Sequence, residues 1–250
     1  MSKIDCVLMC GGRGTRLRPV TNDEVPKALV KVAGRELIRY AIDLLDPSFV
    51  DRLIFAVDFH EEHIRSWVDS VTLPYETVFS RQEVPGYADA VRCAWGLSGR
   101  DSLLVCHTDE IKPGLDLAGA VAAHRETDAT ATVVAAVADR LSQHWVVRYD
   151  KASLRVEQLI PHPLAEDESV RDLVLAGALI LNRSCLGSPH QPVSGDYGDL
   201  VQPLIDSRRL QVFVSPCEAL FNVGTTDEYH AARRHFGEIA SPGGAHAGIR

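Results

Sequence analysis

Val7-Leu8-Met9-Cys10-Gly11-Gly12-Arg13-Gly14-Thr15-Arg16-Leu17-Arg18-Pro19, followed by Val25-Pro26-Lys27, is the stretch from which the rest of the chain can be read. A short apolar run ends in three glycines within four positions, and the run reads as a buried strand. The glycines let the backbone approach a ligand closely with its amides turned toward it. Arg13, Arg16, Arg18 and Lys27 follow in a chain whose formal net charge is −8. Cations concentrated in an acidic protein point to a polyanionic ligand, and the simplest one is a nucleoside triphosphate.

The net acidity argues against a general nucleic-acid or anionic-membrane surface. No apolar run is long enough to cross a bilayer, and the N-terminus lacks a signal-peptide pattern. Cys6, Cys10, Cys93, Cys106, Cys185 and Cys217 form no C-x-x-C pair, and four of them sit in apolar runs. Reduced, buried thiols in a cytoplasmic protein are the expectation, with neither zinc nor a disulfide framework.

Outward from the first strand (Asp5–Cys10), the pattern alternates. Helical spacing covers Glu36–Leu45, Glu61–Val68, Ala88–Gly96 and Leu115–Glu126. Strand-like runs cover Leu53–Val57, Tyr75–Phe79, Ser102–His107 and Ala129–Ala138. Such alternation predicts a Rossmann-like α/β domain, a mainly parallel mixed sheet with helices on both faces. After Arg140 the rhythm changes. Trp145–Tyr149 and Leu154–Ile160 read as a hairpin around Asp150-Lys151, and Pro161-His162-Pro163 breaks the chain before an acidic stretch, Glu166–Asp172. Strands at Leu173–Leu181 and Leu210–Val214 and helices at Asp199–Ile205 and Thr226–Phe236 complete an elaborated C-terminal third. One domain over residues 1–240 is expected, with a disordered Gly- and Ala-rich tail at Ser241–Arg250.

The glycine loop is not a Walker loop, which needs G-x-x-x-x-G-K followed by Ser or Thr. It is not a dinucleotide fingerprint either, because Leu17 stands where the third glycine belongs. It resembles the signature of sugar-1-phosphate nucleotidylyltransferases, G-G-x-G-T-R-L-x-P-x-T followed by P-K. Gly11, Gly12, Gly14, Thr15, Arg16, Leu17, Pro19, Thr21, Pro26 and Lys27 all match it. The resemblance implies a nucleotide-diphospho-sugar transferase-like fold and NMP transfer from an NTP to a phosphorylated acceptor. It assigns Arg16 to the triphosphate and Lys27 to the α-phosphate or the incoming phosphate. Gly11, Gly12, Gly14 and Thr15 would cradle the nucleotide, and Arg13 could also reach the phosphates although its place in the pattern is variable. Arg18 is read as solvated or structural.

Leu103–Glu110 reads as a buried strand ending in carboxylates, and ligands of open α/β sheets bind at such strand ends. Asp109 matches the family's metal aspartate and would bind Mg²⁺, with Glu110 as a possible second ligand. His107 and Thr108 depart from the family, Thr108 standing where glycine is usual. A plainer role for Asp109 is capping of Gly114–Leu117. Ala219–Tyr229 resembles the family's late W-x-D-V-G-T-P-x-x-Y segment, with Asn222 in place of the second metal aspartate. An amide oxygen can still bind Mg²⁺. Alternatively, Asn222 only shapes a turn before a helix capped by Thr225.

Gln82 and Gly86, in Q-E-V-P-G-Y-A-D, stand where the family contacts the base and begins a helix. Glutamine suits uracil, thymine or adenine, although Gln82 lies one residue closer to Gly86 than is common. The family's acceptor-binding E-K-P is absent. Pro161-His162-Pro163 occupies that place, leaving His162 or other cations such as Arg140, Arg148 or Arg183 for the acceptor phosphate, while Ala176-Gly177-Ala178 matches the strand start that admits the sugar. The histidines at 60, 63, 124, 144 and 190 read as surface or core residues. The expected reaction is transfer to a sugar 1-phosphate with release of pyrophosphate. A cytidylyltransferase for phosphocholine and a non-catalytic nucleotide-sensing relative are the alternatives. No β-helix domain is expected after the core, and a homo-oligomer is possible by resemblance.

Overall fold

The computed structural model describes residues 3–138, 144–161, 172–185 and 194–240, with side chains to residue 237. The expectations for Arg140, His162 and the tail at Ser241–Arg250 lie outside the described residues, as does most of the acidic stretch before Asp172.

In chain order, β1 (Ile4–Met9) leads into the glycine loop and a short α1 (Arg18–Thr21). The two-residue strands β2 (Lys31–Val32) and β3 (Arg35–Glu36) precede α2 (Leu37–Ile42). Then come β4 (Val50–Val57), α3 (Glu61–Ser70), β5 (Glu76–Arg81), α4 (Tyr87–Gly96), β6 (Ser102–His107), β7 (Glu110–Ile111), α5 (Leu117–Glu126) and β8 (Ala131–Ala138). The last third contains β9 (Val146–Tyr149), β10 (Val156–Ile160), β11 (Asp172–Asn182), α6 (Tyr197–Asp206), β12 (Leu210–Val214), β13 (Phe221–Asn222) and α7 (Thr226–Ala240). Each sequence-predicted element is present, with ends displaced by a few residues. The strands β2, β3, β7 and β13 are too short to leave a periodic signal.

The main sheet runs β10-β9-β11-β6-β1-β4-β5, and β8 joins β11 to β12. Strands β6, β1, β4 and β5 are mutually parallel. Long β11 enters antiparallel between β6 and β8, and β9–β10 is the expected hairpin. Alternation along β1 sends Cys6 and Leu8 to one core layer and Val7 to the other. Helix α4 packs its Ala88, Val91 and Trp95 on the Val7 side, whereas Ile38, Ile64 and Val121 of α2, α3 and α5 fill the Cys6 side. No described helix is long and apolar enough to cross a membrane.

The topology positions the site. Strand β1 has β4 on one side and β6 on the other, so the chain order reverses there and a crevice opens beyond the strand ends. Met9 pairs with His107, so the loop after β1 and the carboxylates after β6 emerge side by side.

Candidate active site

The glycine loop leaves β1 with Cys10 N donating to Ala56 O at 2.8 Å, which holds the strand end in the sheet. A single tight turn, Thr15–Leu17, follows. Leu17 is fully buried with Val30, Ile111 and Val223, so the turn is pinned and Arg16 is left facing the crevice. Lys27 opens another short turn, and its Nζ lies 2.5 Å from Asp109 Oδ2. Arg18 pairs with Asp23 on the surface, in keeping with a structural role.

Across the crevice, Thr108 Oγ1 donates to Met9 O at 2.7 Å. Threonine in the glycine position therefore straps the end of β6 to the end of β1. Burial works to raise the Asp109 pKa, but Lys27 and further cationic neighbours outweigh it and hold the carboxyl well below its usual range. Helix α5 is capped by Asp116, whose Oδ1 accepts from Gly119 N at 2.7 Å, so Asp109 does not serve that end. Burial lowers the His107 pKa against the pull of Glu110 and Asp109. Its Nε2 lies 3.1 Å from the Tyr87 hydroxyl.

Two contacts bring Asn222 to Asp109. Val223 N donates to Asp109 O at 2.8 Å, and Asn222 pairs with Glu110 across β13 and β7. A Cβ built on Gly224 would stand 3.4 Å from Arg16 Nη2 and 3.5 Å from Asn222 Oδ1, so these two groups flank one glycine. Thr225 does cap α7. Its Oγ1 accepts from Glu228 N at 3.3 Å, and the Glu228 carboxylate accepts from Gly224 N and Thr225 N. The turn reading is compatible with a site role for Asn222, because the cap fixes the residues that follow it.

A cavity of about 450 Å³ is lined by Gly11, Gly12, Gly14, Thr15, Arg16, Lys27, Gln82, Gly86 and Asp109, among others. That volume suits a small organic ligand. A second cavity of about 170 Å³ is bordered by Glu110, Trp145, Gly177, Tyr197 and Asn222, and shares Arg16, His107 and Asp109 with the first. Arg13 does not line either cavity; its guanidinium lies 5.0 Å from the centre of the Phe59 ring. Gln82 Nε2 lies 3.4 Å from Asp58 Oδ2. Gly86 precedes α4 at φ +149°, where a Cβ would lie 2.7 Å from Gly195 O.

Three participants escaped the sequence reading. Asp89 is fully buried; its carboxylate accepts from Glu83 N and Val84 N and holds the Arg92 guanidinium at 2.7 Å, which shapes the Gln82–Gly86 loop. The signal was a carboxylate and an arginine three apart on an otherwise apolar helix. Tyr87 and Lys112 had no comparable signal, since tyrosine and lysine read as ordinary core and surface residues.

Asp109 offers a carboxylate and Asn222 an amide oxygen to the same small cavity. One or two protein oxygens, with room for other ligands from a neighbouring cavity, match what Mg²⁺ requires, so the donor set fits that ion.

The family model described as nucleotidyl transferase matches residues 5–238. The mannose-1-phosphate guanyltransferase of Debaryomyces hansenii is 29% identical over 188 residues, covering 72% of this chain and 50% of the relative. The N-acetylmuramate alpha-1-phosphate uridylyltransferase of Caulobacter vibrioides is 33% identical over 111 residues, 42% of this chain and 45% of the relative. The chain thus spans about half the length of the curated relatives it matches first. Among solved structures, HddC from Yersinia pseudotuberculosis complexed with GMP-PN superposes with a TM-score of 0.74 at 20% identity, covering 93% of this chain and 99% of the other. UDP-glucose pyrophosphorylase complexed with UDP-glucose gives 0.77 at 16% identity, covering 96% and 100%. These structural likenesses establish the fold. With the family match over nearly its whole length, this chain belongs to the nucleotidyl transferase family, among the sugar-1-phosphate nucleotidylyltransferases that its glycine loop resembles.

Proposed function

We propose that this chain transfers an NMP group from an NTP to a sugar 1-phosphate, releasing pyrophosphate and forming an NDP-sugar. The observation that carries the reading is the convergence of Arg16, Lys27 and Asp109 on one cavity at the end of β1. A phosphate oxygen of the acceptor, already ionised at neutral pH, attacks the α-phosphorus in line. The new P–O bond forms as the bond to the bridging oxygen breaks, and the electron pair leaves with pyrophosphate. No general base is required. Lys27 orients the attacking and α-phosphate groups, and Arg16 takes up the charge that grows on the leaving pyrophosphate. Both are fixed charges near the developing negative charge, where they need no reorganisation. Gly11, Gly12, Gly14 and Thr15 cradle the triphosphate, with Gln82 and Gly86 beside the base. Gly177 borders the acceptor side.

Asp109 and Asn222 would hold Mg²⁺. When bound, the ion supplies positive charge to the reacting phosphates and favours their in-line alignment. Release of Lys27 from Asp109 to phosphate accompanies nucleotide entry. The test is pyrophosphate release with Mg²⁺, a panel of NTPs that includes GTP and UTP, and a panel of phosphorylated acceptors. Release that depends on both NTP and a sugar 1-phosphate is expected. Nucleotide binding with no release from any combination would sink the reading.

A further inference from the structure

The smaller cavity contains a carboxylate that the proposed chemistry does not use. Glu110 is 7% exposed, on β7. Its Oε2 lies 3.3 Å from Lys112 Nζ, and Lys112 is fully buried and also donates to Gly177 O at 3.0 Å. The backbone holds this carboxylate in place from the other side. Gly177 lies in a bulge of β11 at φ +53°, and a Cβ there would stand 2.1 Å from Glu110 Oε2. Glycine at this position is what the carboxylate needs in order to fit.

The second oxygen is differently placed. Among the described residues, Oε1 has His107 Nδ1 at 4.0 Å, which is beyond hydrogen-bonding distance. A carboxylate oxygen on the wall of a cavity, with accepting capacity to spare, is suited to a donor arriving from within that cavity. The same wall carries Tyr197 and Trp145, whose rings meet edge to face at 5.7 Å.

We infer that Glu110 reads the hydroxyls of the acceptor, so that the acceptor is a neutral polyhydroxylated ring and not a cationic phosphoester such as phosphocholine. The inference rests on the nucleotidyl-transfer reading above. Charge bookkeeping favours the neutral ring. Lys112 matches Glu110 and Lys27 matches Asp109, which leaves Arg16 as the surplus charge bordering the cavity. That field draws in a phosphate and offers nothing to a trimethylammonium group. Aromatic rings can cage a quaternary ammonium, but here Tyr197 meets Tyr87, His107 and Trp145 edge to face, which forms a packed strip. Glu110 thereby supplies, from β7, a carboxylate that the Pro161-His162-Pro163 segment lacks in sequence.

The test compares wild type with Glu110→Gln and with the double variant Glu110→Gln/Lys112→Met, which leaves no unmatched buried charge. The probes are mannose 1-phosphate, glucose 1-phosphate, their singly deoxygenated analogues and phosphocholine, with GTP and UTP. Both variants should raise KM for the sugar phosphate roughly 10–100-fold, the loss expected for a hydrogen bond to a charged group, with KM for the NTP nearly unchanged. Wild type should discriminate against one deoxy analogue to a similar extent, and the variants should not. Unchanged acceptor KM in the double variant, or a wild-type preference for phosphocholine, would overturn the role of Glu110 while leaving nucleotidyl transfer intact. Absence of pyrophosphate release with every probe would overturn both.

Discussion

Lys27 Nζ lies 2.5 Å from Asp109 Oδ2, which joins residues 82 positions apart across the mouth of the larger cavity. Each charge keeps the other ready. The lysine holds the carboxyl ionised, and the carboxylate holds the lysine ammonium beside the glycine loop. In the proposed reaction, a triphosphate entering with its cation exchanges this pair for two others, lysine with phosphate and carboxylate with metal. The pair is only partly buried, so its direct contribution to stability is small.

Lys27→Ala is expected to cut turnover by roughly 10²–10³-fold, the scale for removing one preorganised group that stabilises developing charge. The thermal midpoint should move little. Pyrophosphate release and circular dichroism measure the two quantities. Turnover close to wild type would remove Lys27 from the reaction.

Asp109→Asn leaves an oxygen in place but deletes its charge. The Mg²⁺ concentration needed for half-maximal activity should rise by roughly tenfold or more, unless activity is lost outright. A metal titration that superposes on wild type would exclude Asp109 as a ligand.

Gly86→Ala places a Cβ against backbone that cannot rotate away, 2.7 Å from Gly195 O, at φ +149°. The cost should be about 1–3 kcal/mol, typical of an enforced unfavourable backbone conformation. Because Gly86 also lines the larger cavity, KM for the nucleotide should rise with it. Urea unfolding and steady-state kinetics read the two effects, and an unshifted urea midpoint would contradict the contact.

His124 provides a pH signature remote from the site. It is buried, its Nδ1 lies 2.8 Å from Thr132 Oγ1 and its Nε2 3.0 Å from Asn182 Oδ1. Asn182 Nδ2 donates to Ala129 O, so its Oδ1 is left to accept from the Nε2–H of neutral imidazole. Burial lowers the His124 pKa from 6.5, although the Asn182 bond opposes it. The unfolded chain then binds the proton more readily than the folded one. Stability from this group is complete above pH 6.5, declines as pH falls below that value, and stops declining only below the folded-state pKa. Melting temperature should therefore fall on acidification from pH 7 toward 5.5, and His124→Gln should flatten that slope. Equal slopes in the two proteins would show that His124 does not contribute.

Much of this molecule was legible as a one-dimensional pattern. The apolar run before Gly11 announced β1, and β–α alternation announced the layered sheet. The spacing from Gly11 to Lys27 was readable because a glycine loop is made of consecutive residues. Asp109 was readable because a buried strand ended in it. Less legible were groups whose role depends on partners far along the chain. Asp89 was one more helix residue and Glu110 a possible second metal ligand until Arg92 and Lys112 were seen buried against them.

The order of residues alone determined that a strand, a glycine turn and a cluster of cations would follow one another, because those properties are local to the backbone and its neighbours. Tertiary structure decided what stands opposite. The parallel register of β1 with β6 places Asp109 beside Lys27, and the β7–β13 pairing brings Asn222 up to Glu110. The bulge at Gly177 opens room for a carboxylate in the smaller cavity. Those relationships arise from packing between segments distant in sequence, and no local pattern encodes them.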